Sequence, residues 1–275
     1  MRFCRLSALM SRPSIPEIWT SDFYTHPLFE GHGAVCRGFD GWPSHEQLTA
    51  HANQRQVRNQ VGHAVTFALQ TERLSQRAYE QHIGKTGEVP TRSENWHDFL
   101  NACAWLNYPQ TKAAINAVHC AQPLQSMRSP ASDAATVFDE SGAILLGPDP
   151  RLAQWLRDHD WQQAFVTNRA LWQQHRLFVF GHAVLEKTLC PYPGMIAKVL
   201  YQPWSAIPNT PADKPPEGLD ALVAKRWLAG EFANAAPLFA LPLLGVPGVD
   251  PANEDPAYYE NMQVFRPARL PQVLT

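Results

Sequence analysis

Ser93-Glu94-Asn95-Trp96-His97-Asp98-Phe99-Leu100-Asn101 sets an imidazole, a carboxylate and two carboxamides among large apolar residues. At about 100° per residue the segment opens a helix over residues 94–107. Pro109 suits the first position of a second helix over 109–120, because its missing N–H has no partner there anyway. A connection this short makes the two helices antiparallel neighbours. Polar groups interleaved with core residues need partners, so this helical pair is where a site or a buried polar network belongs.

The helical wheel divides the first helix. Trp96, Phe99, Leu100, Cys103 and Leu106 form an apolar sector, while His97, Asp98, Asn101 and Trp105 fall in a second sector roughly 100° wide. On the second helix, Lys112, Asn116 and His119 follow i, i+4, i+7 and make one stripe beside the small residues Ala113, Ala114 and Ala117. Further on, His182 and Glu186 share a helix face just after Gly181.

Working outward, residues 1–43 are rich in Pro, Gly and aromatics and read as an irregular N-terminal arm that packs by its rings. A core domain spans 44–236, opening at Ser44 as an N-cap. Val61 to Leu69 reads as a strand, and Ala78 to Gly84 as one or two helical turns stopped by Gly84. Thr136 to Leu146 reads as a β-hairpin, two apolar runs around Asp139-Glu140-Ser141-Gly142. Leu152–Leu156 and Trp161–Trp172 read as amphipathic helices, Arg176–Phe180 and Ala197–Tyr201 as strands, His182–Leu189 and Leu219–Ala229 as helices. Residues 205–218, with four prolines, form a loop, and 237–275 an extended Pro-rich tail lying on the core. Strands and helices alternate without a βαβ rhythm, so the expected class is α+β, a helix-rich single domain with a small sheet.

Composition narrows the function. The chain is 45% hydrophobic and 17% charged with a net charge of −2, and its Lys and Arg are scattered, which gives no electrostatic case for nucleic acid. No apolar run reaches the length of a membrane span. The first ten residues lack a signal-peptide core, and Met10-Ser11-Arg12-Pro13 reads equally well as a start. Cys4, Cys36, Cys103, Cys120 and Cys190 are odd in number without a C-x-x-C pair, as expected of reduced thiols in a cytoplasmic protein. A nucleophilic Cys120 beside His119 is disfavoured, because adjacent helical residues point apart.

The chemistry points to a hydrolase-like enzyme. His97 or His182 would act as general base or metal ligand, with Asp98 or Glu186 orienting it. Asn101, Lys112 and Asn116 would bind an anionic group of a small substrate. A divalent metal is an open alternative, with His97, His119, His182, Glu186 and Asp139 as its ligand set; zinc, iron and manganese accept such mixtures. The spacing matches no strong metal motif, and half-buried structural histidines explain the same pattern. Asp139 and Glu140 are either paired cation-binding carboxylates or an ordinary turn. A non-catalytic adaptor, suggested by the aromatic arm and Pro-rich tail, is the competing function.

Asn95 to Ala102, Tyr108 to Asn116 with His119, Thr136 to Gly142, Phe180 to Lys187 with Ala197-Lys198, and Leu244 to Gly248 with Val264 to Pro267 together resemble the DUF3025 family of bacterial proteins. The likeness runs from about Tyr79 to Pro267. It departs at Gln110, where the family pattern has Arg, and at Ser132-Asp133, where a basic residue precedes the aspartate. An anion site built on those arginines would be incomplete here. The resemblance implies a cytosolic bacterial protein and brings no activity with it.

Overall fold

A computed structural model describes residues 15–122, 127–205 and 212–268. Cys4, the start at Met10, and parts of the expected arm, loop and tail lie outside them.

In chain order the helices begin with the short α1 (Gly33–Cys36) and α2 (His45–Gln54), then β1 (Thr66–Leu69), α3 (Gln76–Thr86) and β2 (Glu88–Thr91). The helical pair follows as α4 (Trp96–Asn107) and α5 (Pro109–Cys120), then α6 (Pro130–Ser141), β3 (Gly142–Gly147) and α7 (Pro150–Arg157). The chain continues with β4 (Arg176–Val179), α8 (His182–Thr188), β5 (Ile196–Pro203), α9 (Leu219–Leu228) and β6 (Phe239–Pro242). The class is α+β.

Local chemistry sets the boundaries. Ser44 opens α2 with a reciprocal capping box: its hydroxyl accepts from Gln47 N at 3.2 Å, and Gln47 Oε1 accepts from Ser44 N at 2.8 Å. Asn95 caps α4 by accepting from Asp98 N at 3.1 Å. Pro109 stands at the start of α5 as expected.

The main sheet has the order β4-β3-β5-β6, with β3 antiparallel to β4 and parallel to β5. Its two-residue period divides the interior. Ala143, Leu145, Val179 and Val199 enter one core with α4, α7, α8 and the aromatic arm. Ile144, Leu146, Phe178 and Leu200 enter the other with α5, α6 and α9. The arm docks through its rings, Trp19 stacking on Trp96 at 5.1 Å between centroids.

Four local expectations are corrected. The hairpin over 136–146 does not form: residues 130–141 are α6, capped by Ser129 with Pro130 behind it, and only Gly142–Gly147 is strand. Ala134, Ala135 and Phe138, spaced for a helix, bury that face. Gly84 lies inside α3, and Gly87, at φ 78°, ends it. Trp161–Trp172 holds a π-helical turn over Gln162–Thr167 and a 3-10 stretch over Arg169–Gln174 in place of an α-helix. The tail supplies edge strand β6, pairing Ile196 with Pro242 through Val199 with Phe239, so it is part of the sheet.

Candidate functional site

One sheet end positions the site. The amides of Phe180 and Gly181 both donate to Gly142 O, at 2.9 and 2.8 Å. This joins the end of β4 to the start of β3, so the last turn of α6 meets the first turn of α8. Glu140 and His182 are thereby neighbours, with His182 Nε2 3.7 Å from Glu140 Oε1. The first turn of α4 closes the third side: His97 Nε2 stands 3.1 Å from His182 Nε2.

These groups border a cleft of about 490 Å³. Tyr79 and Glu80 on α3, Asp98 and Asn101 on α4, and Asp139 on α6 also line it, with Arg73 and Arg92. The His97 ring is oriented by Glu186 on α8, whose Oε2 lies 3.1 Å from Nδ1. His182 turns Nδ1 towards Asp139, 3.8 Å from Oδ2 and without a hydrogen-bond partner. Two imidazole nitrogens facing each other at 3.1 Å either share one proton or are bridged by a metal ion.

The two rings titrate apart. Burial works against a charge on His97, but the Glu186 hydrogen bond and the nearby charges of Glu140, Glu186 and Asp98 outweigh it and raise its pKa. Burial pushes His182 down to about 3 although Asp139 opposes the fall. Glu140 is held above the usual carboxylate range by burial, despite His97, and Glu80 is raised by burial as well.

Asp98 is not beside the imidazoles. Arg92 grips it through Nε at 2.9 Å and Nη2 at 2.8 Å, and the Arg92 amide donates to it at 2.6 Å. Among the described residues Glu186 is the carboxylate within hydrogen-bond distance of His97, and Asp98 is held by Arg92 at the cleft wall. Lys112 is buried and donates to Asp139 at 2.6 Å and Asn101 at 2.7 Å. Asn101 in turn donates to the Tyr79 hydroxyl at 3.0 Å. Asn116 donates to Glu80 Oε2 at 2.8 Å, and His119 Nδ1 lies 2.9 Å from Ser132 Oγ.

The structure brings only part of the expected ligand set together. Lys112, Asn116 and His119 do not line the cleft: Lys112 lies behind Asn101 and Asp139, Asn116 behind Glu80 of α3, and His119 against Ser132 of α6. Among the described residues, His97, Glu140 and His182 are the group whose ligand atoms come within 4.8 Å of one another. Asp139 and Glu186 stand behind the imidazoles. Sequence reasoning placed Glu140 in a turn and passed over Tyr79, Glu80 and Arg92. Glu80 becomes legible only once α3 is seen to run over Gln76–Thr86, where it is buried and accepts from Asn116 of α5. Burial pushes the Cys120 thiol up to about 11, which works against a nucleophilic thiolate there.

Fold and cleft define an α+β protein with imidazoles and carboxylates gathered at one end of a mixed sheet. The chain belongs to the family described as protein of unknown function (DUF3025), which it matches over residues 65–269, a span that contains the whole cleft constellation. No curated protein and no solved structure matches it. Among the described residues no helix is long and apolar enough to cross a membrane.

Proposed function

We propose that the protein is a hydrolase-like enzyme whose cleft activates water at the face formed by His97, His182 and Glu140. The observation that carries this reading is the convergence of two histidines from separate helices, Nε2 to Nε2 at 3.1 Å, on the floor of an open cleft. A purely structural histidine pair has no need of a cleft, nor of a half-exposed carboxylate beside it, and Glu140 is 40% exposed. Substrates are small molecules bearing an anionic group, for which Arg73 at the rim is the available cation. Cys36, Cys103 and Cys120, none of them in a disulfide, support a reducing, cytoplasmic location in a bacterial cell. Neither nucleic acid nor a membrane enters this reading.

The test is a panel of chromogenic carboxylic esters, amides and phosphoesters offered to the native protein and to His97→Gln. Turnover that falls at least a hundredfold in the variant supports the reading. Activity unchanged by His97→Gln, or none across the panel, sinks it in favour of the adaptor.

A further inference from the structure

We infer that His97 Nε2, His182 Nε2 and a carboxylate oxygen of Glu140 form a binding site for one divalent first-row transition-metal ion. The inference deepens the hydrolytic reading by naming the cofactor of the same cleft, yet it rests on geometry that stands without any activity.

Distances come first. Metal–imidazole bonds of about 2.0–2.1 Å spanning two nitrogens 3.1 Å apart subtend roughly 100° at the ion. That is a normal angle for two ligands side by side in a tetrahedral or six-coordinate shell. The 3.7 Å from His182 Nε2 to Glu140 Oε1 subtends roughly 125° with a metal–oxygen bond of about 2.1 Å. All three ligand atoms lie within 4.8 Å of one another, and the half-exposed Glu140 side chain has room to turn inward.

Orientation is the second argument. A metal-bound imidazole carries its proton on the nitrogen away from the ion, and a carboxylate there fixes the ring. His97 has this arrangement, with Glu186 Oε2 3.1 Å from Nδ1; His182 has a carboxylate on the same side of its ring, Asp139 Oδ2 at 3.8 Å from Nδ1, beyond a direct hydrogen bond. A proton on His182 Nδ1, buried and unpartnered, faces Asp139 rather than the cleft.

Charge is the third. Arg92 is committed to Asp98 and Lys112 to Asp139. Glu140 stands beside the two imidazoles, and Arg73 is the remaining arginine of the described cleft wall. A dication fits that balance. Two imidazoles select zinc, iron(II), manganese or cobalt over magnesium and calcium, which prefer oxygen. Three protein ligands leave at least one position for water.

The experiment uses tag-free protein, stripped with chelator and titrated with Zn²⁺, Mn²⁺ and Mg²⁺ by calorimetry, with Co²⁺ absorption as a spectroscopic readout. One equivalent of zinc should bind, with magnesium at least a hundredfold weaker. His97→Gln and Glu140→Gln, both at partly exposed positions and so tolerable to the fold, should each weaken zinc at least tenfold. Glu186→Gln should weaken it tenfold or more through the His97 ring. His82→Gln, on the surface beside Glu88, should leave it unchanged. No binding, or zinc binding indifferent to both His97→Gln and Glu140→Gln, overturns the inference. Hydrolysis surviving in metal-free protein overturns the ion as the cofactor of the reaction while leaving the hydrolase reading intact. Stoichiometric metal with no turnover on any substrate keeps the site and removes the hydrolase.

Discussion

Lys112 Nζ lies 2.6 Å from Asp139 Oδ1, both side chains nearly sealed from solvent, and this pair ties α5 to α6 behind the cleft. Burial alone would raise the Asp139 pKa, but Lys112 and then His182 hold it below the usual carboxylate range. Removing one partner leaves the other charged and buried. Lys112→Met should therefore cost about 3–5 kcal/mol. Adding Asp139→Asn should cost less than the sum of the two single changes, since the pair is lost together. Urea denaturation of the three variants measures this. A loss below about 1 kcal/mol for Lys112→Met would mean that water reaches the carboxylate.

His32 gives the fold an acid-sensitive joint. It is fully buried, with Nε2 2.7 Å from Val179 O and Nδ1 2.9 Å from the Asn107 amide nitrogen. Neutral imidazole satisfies both contacts, donating from Nε2 and accepting at Nδ1. A second proton would confront the Asn107 N–H. Burial accordingly lowers its pKa from 6.5 to about 4. Because the folded value is depressed, the unfolded chain takes up this proton first. The contribution is complete above about pH 6.5 and declines as pH falls towards 4, by about 3 kcal/mol in all. Stability measured across that range should fall more steeply in the native protein than in His32→Gln. Parallel profiles would refute the assignment.

Much of this fold was legible because its signals are local. Asn95-Trp96-His97-Asp98 separates into core and polar faces on one helix, and Pro109 starts the next. Arg176–Val179 and Ile196–Pro203 are apolar, β-rich runs and are strands. The hairpin misled because Val137-Phe138 and Ile144-Leu145 flank a turn-like Asp-Glu-Ser-Gly; the deciding signal was upstream, in Ser129-Pro130 and the spacing of Ala134, Ala135 and Phe138. That misreading hid Glu140 as a helix-end carboxylate aimed at His182. The helical wheel found the Lys112-Asn116-His119 stripe, but a wheel carries no depth. Whether a polar stripe meets open cleft or another helix depends on α3, whose Glu80 backbone carbonyl accepts from Asn116 at 2.9 Å.

Asp220 links α9 to the start of α5. Its Oδ2 accepts from Gln110 N at 2.9 Å and its Oδ1 from Thr111 N at 2.8 Å, so a residue of one helix caps another. Burial raises its pKa although both amides oppose the rise. Asp220→Ala strips two amides of their acceptor and removes a negative charge from a helix N-terminus, which should cost about 1–2 kcal/mol. Zinc affinity should stay unchanged, because neither Asp220 nor Gln110 lines the cleft. Thermal denaturation and calorimetry on the same sample test both halves; an affinity loss alongside the stability loss would show that α5 transmits strain to α4.

Gly181 permits the contact on which the site depends. A Cβ at this position would stand 2.5 Å from Gly142 N and 2.6 Å from Glu140 O and Ser141 N, all backbone atoms that cannot rotate away. Its φ of −68° is ordinary, so close approach rather than conformational freedom explains the glycine. Gly181→Ala must push the start of α8 off the end of α6, at about 1–3 kcal/mol for the overpacking. The same displacement separates His182 from Glu140, now 3.7 Å apart. Zinc affinity should drop at least tenfold in protein that remains folded by circular dichroism. Gly41→Ala, where an added Cβ meets nothing within 4 Å, is the control and should alter neither property. Full affinity in Gly181→Ala would show that the ligands tolerate the displacement, and that the helix junction does not set the geometry of the site.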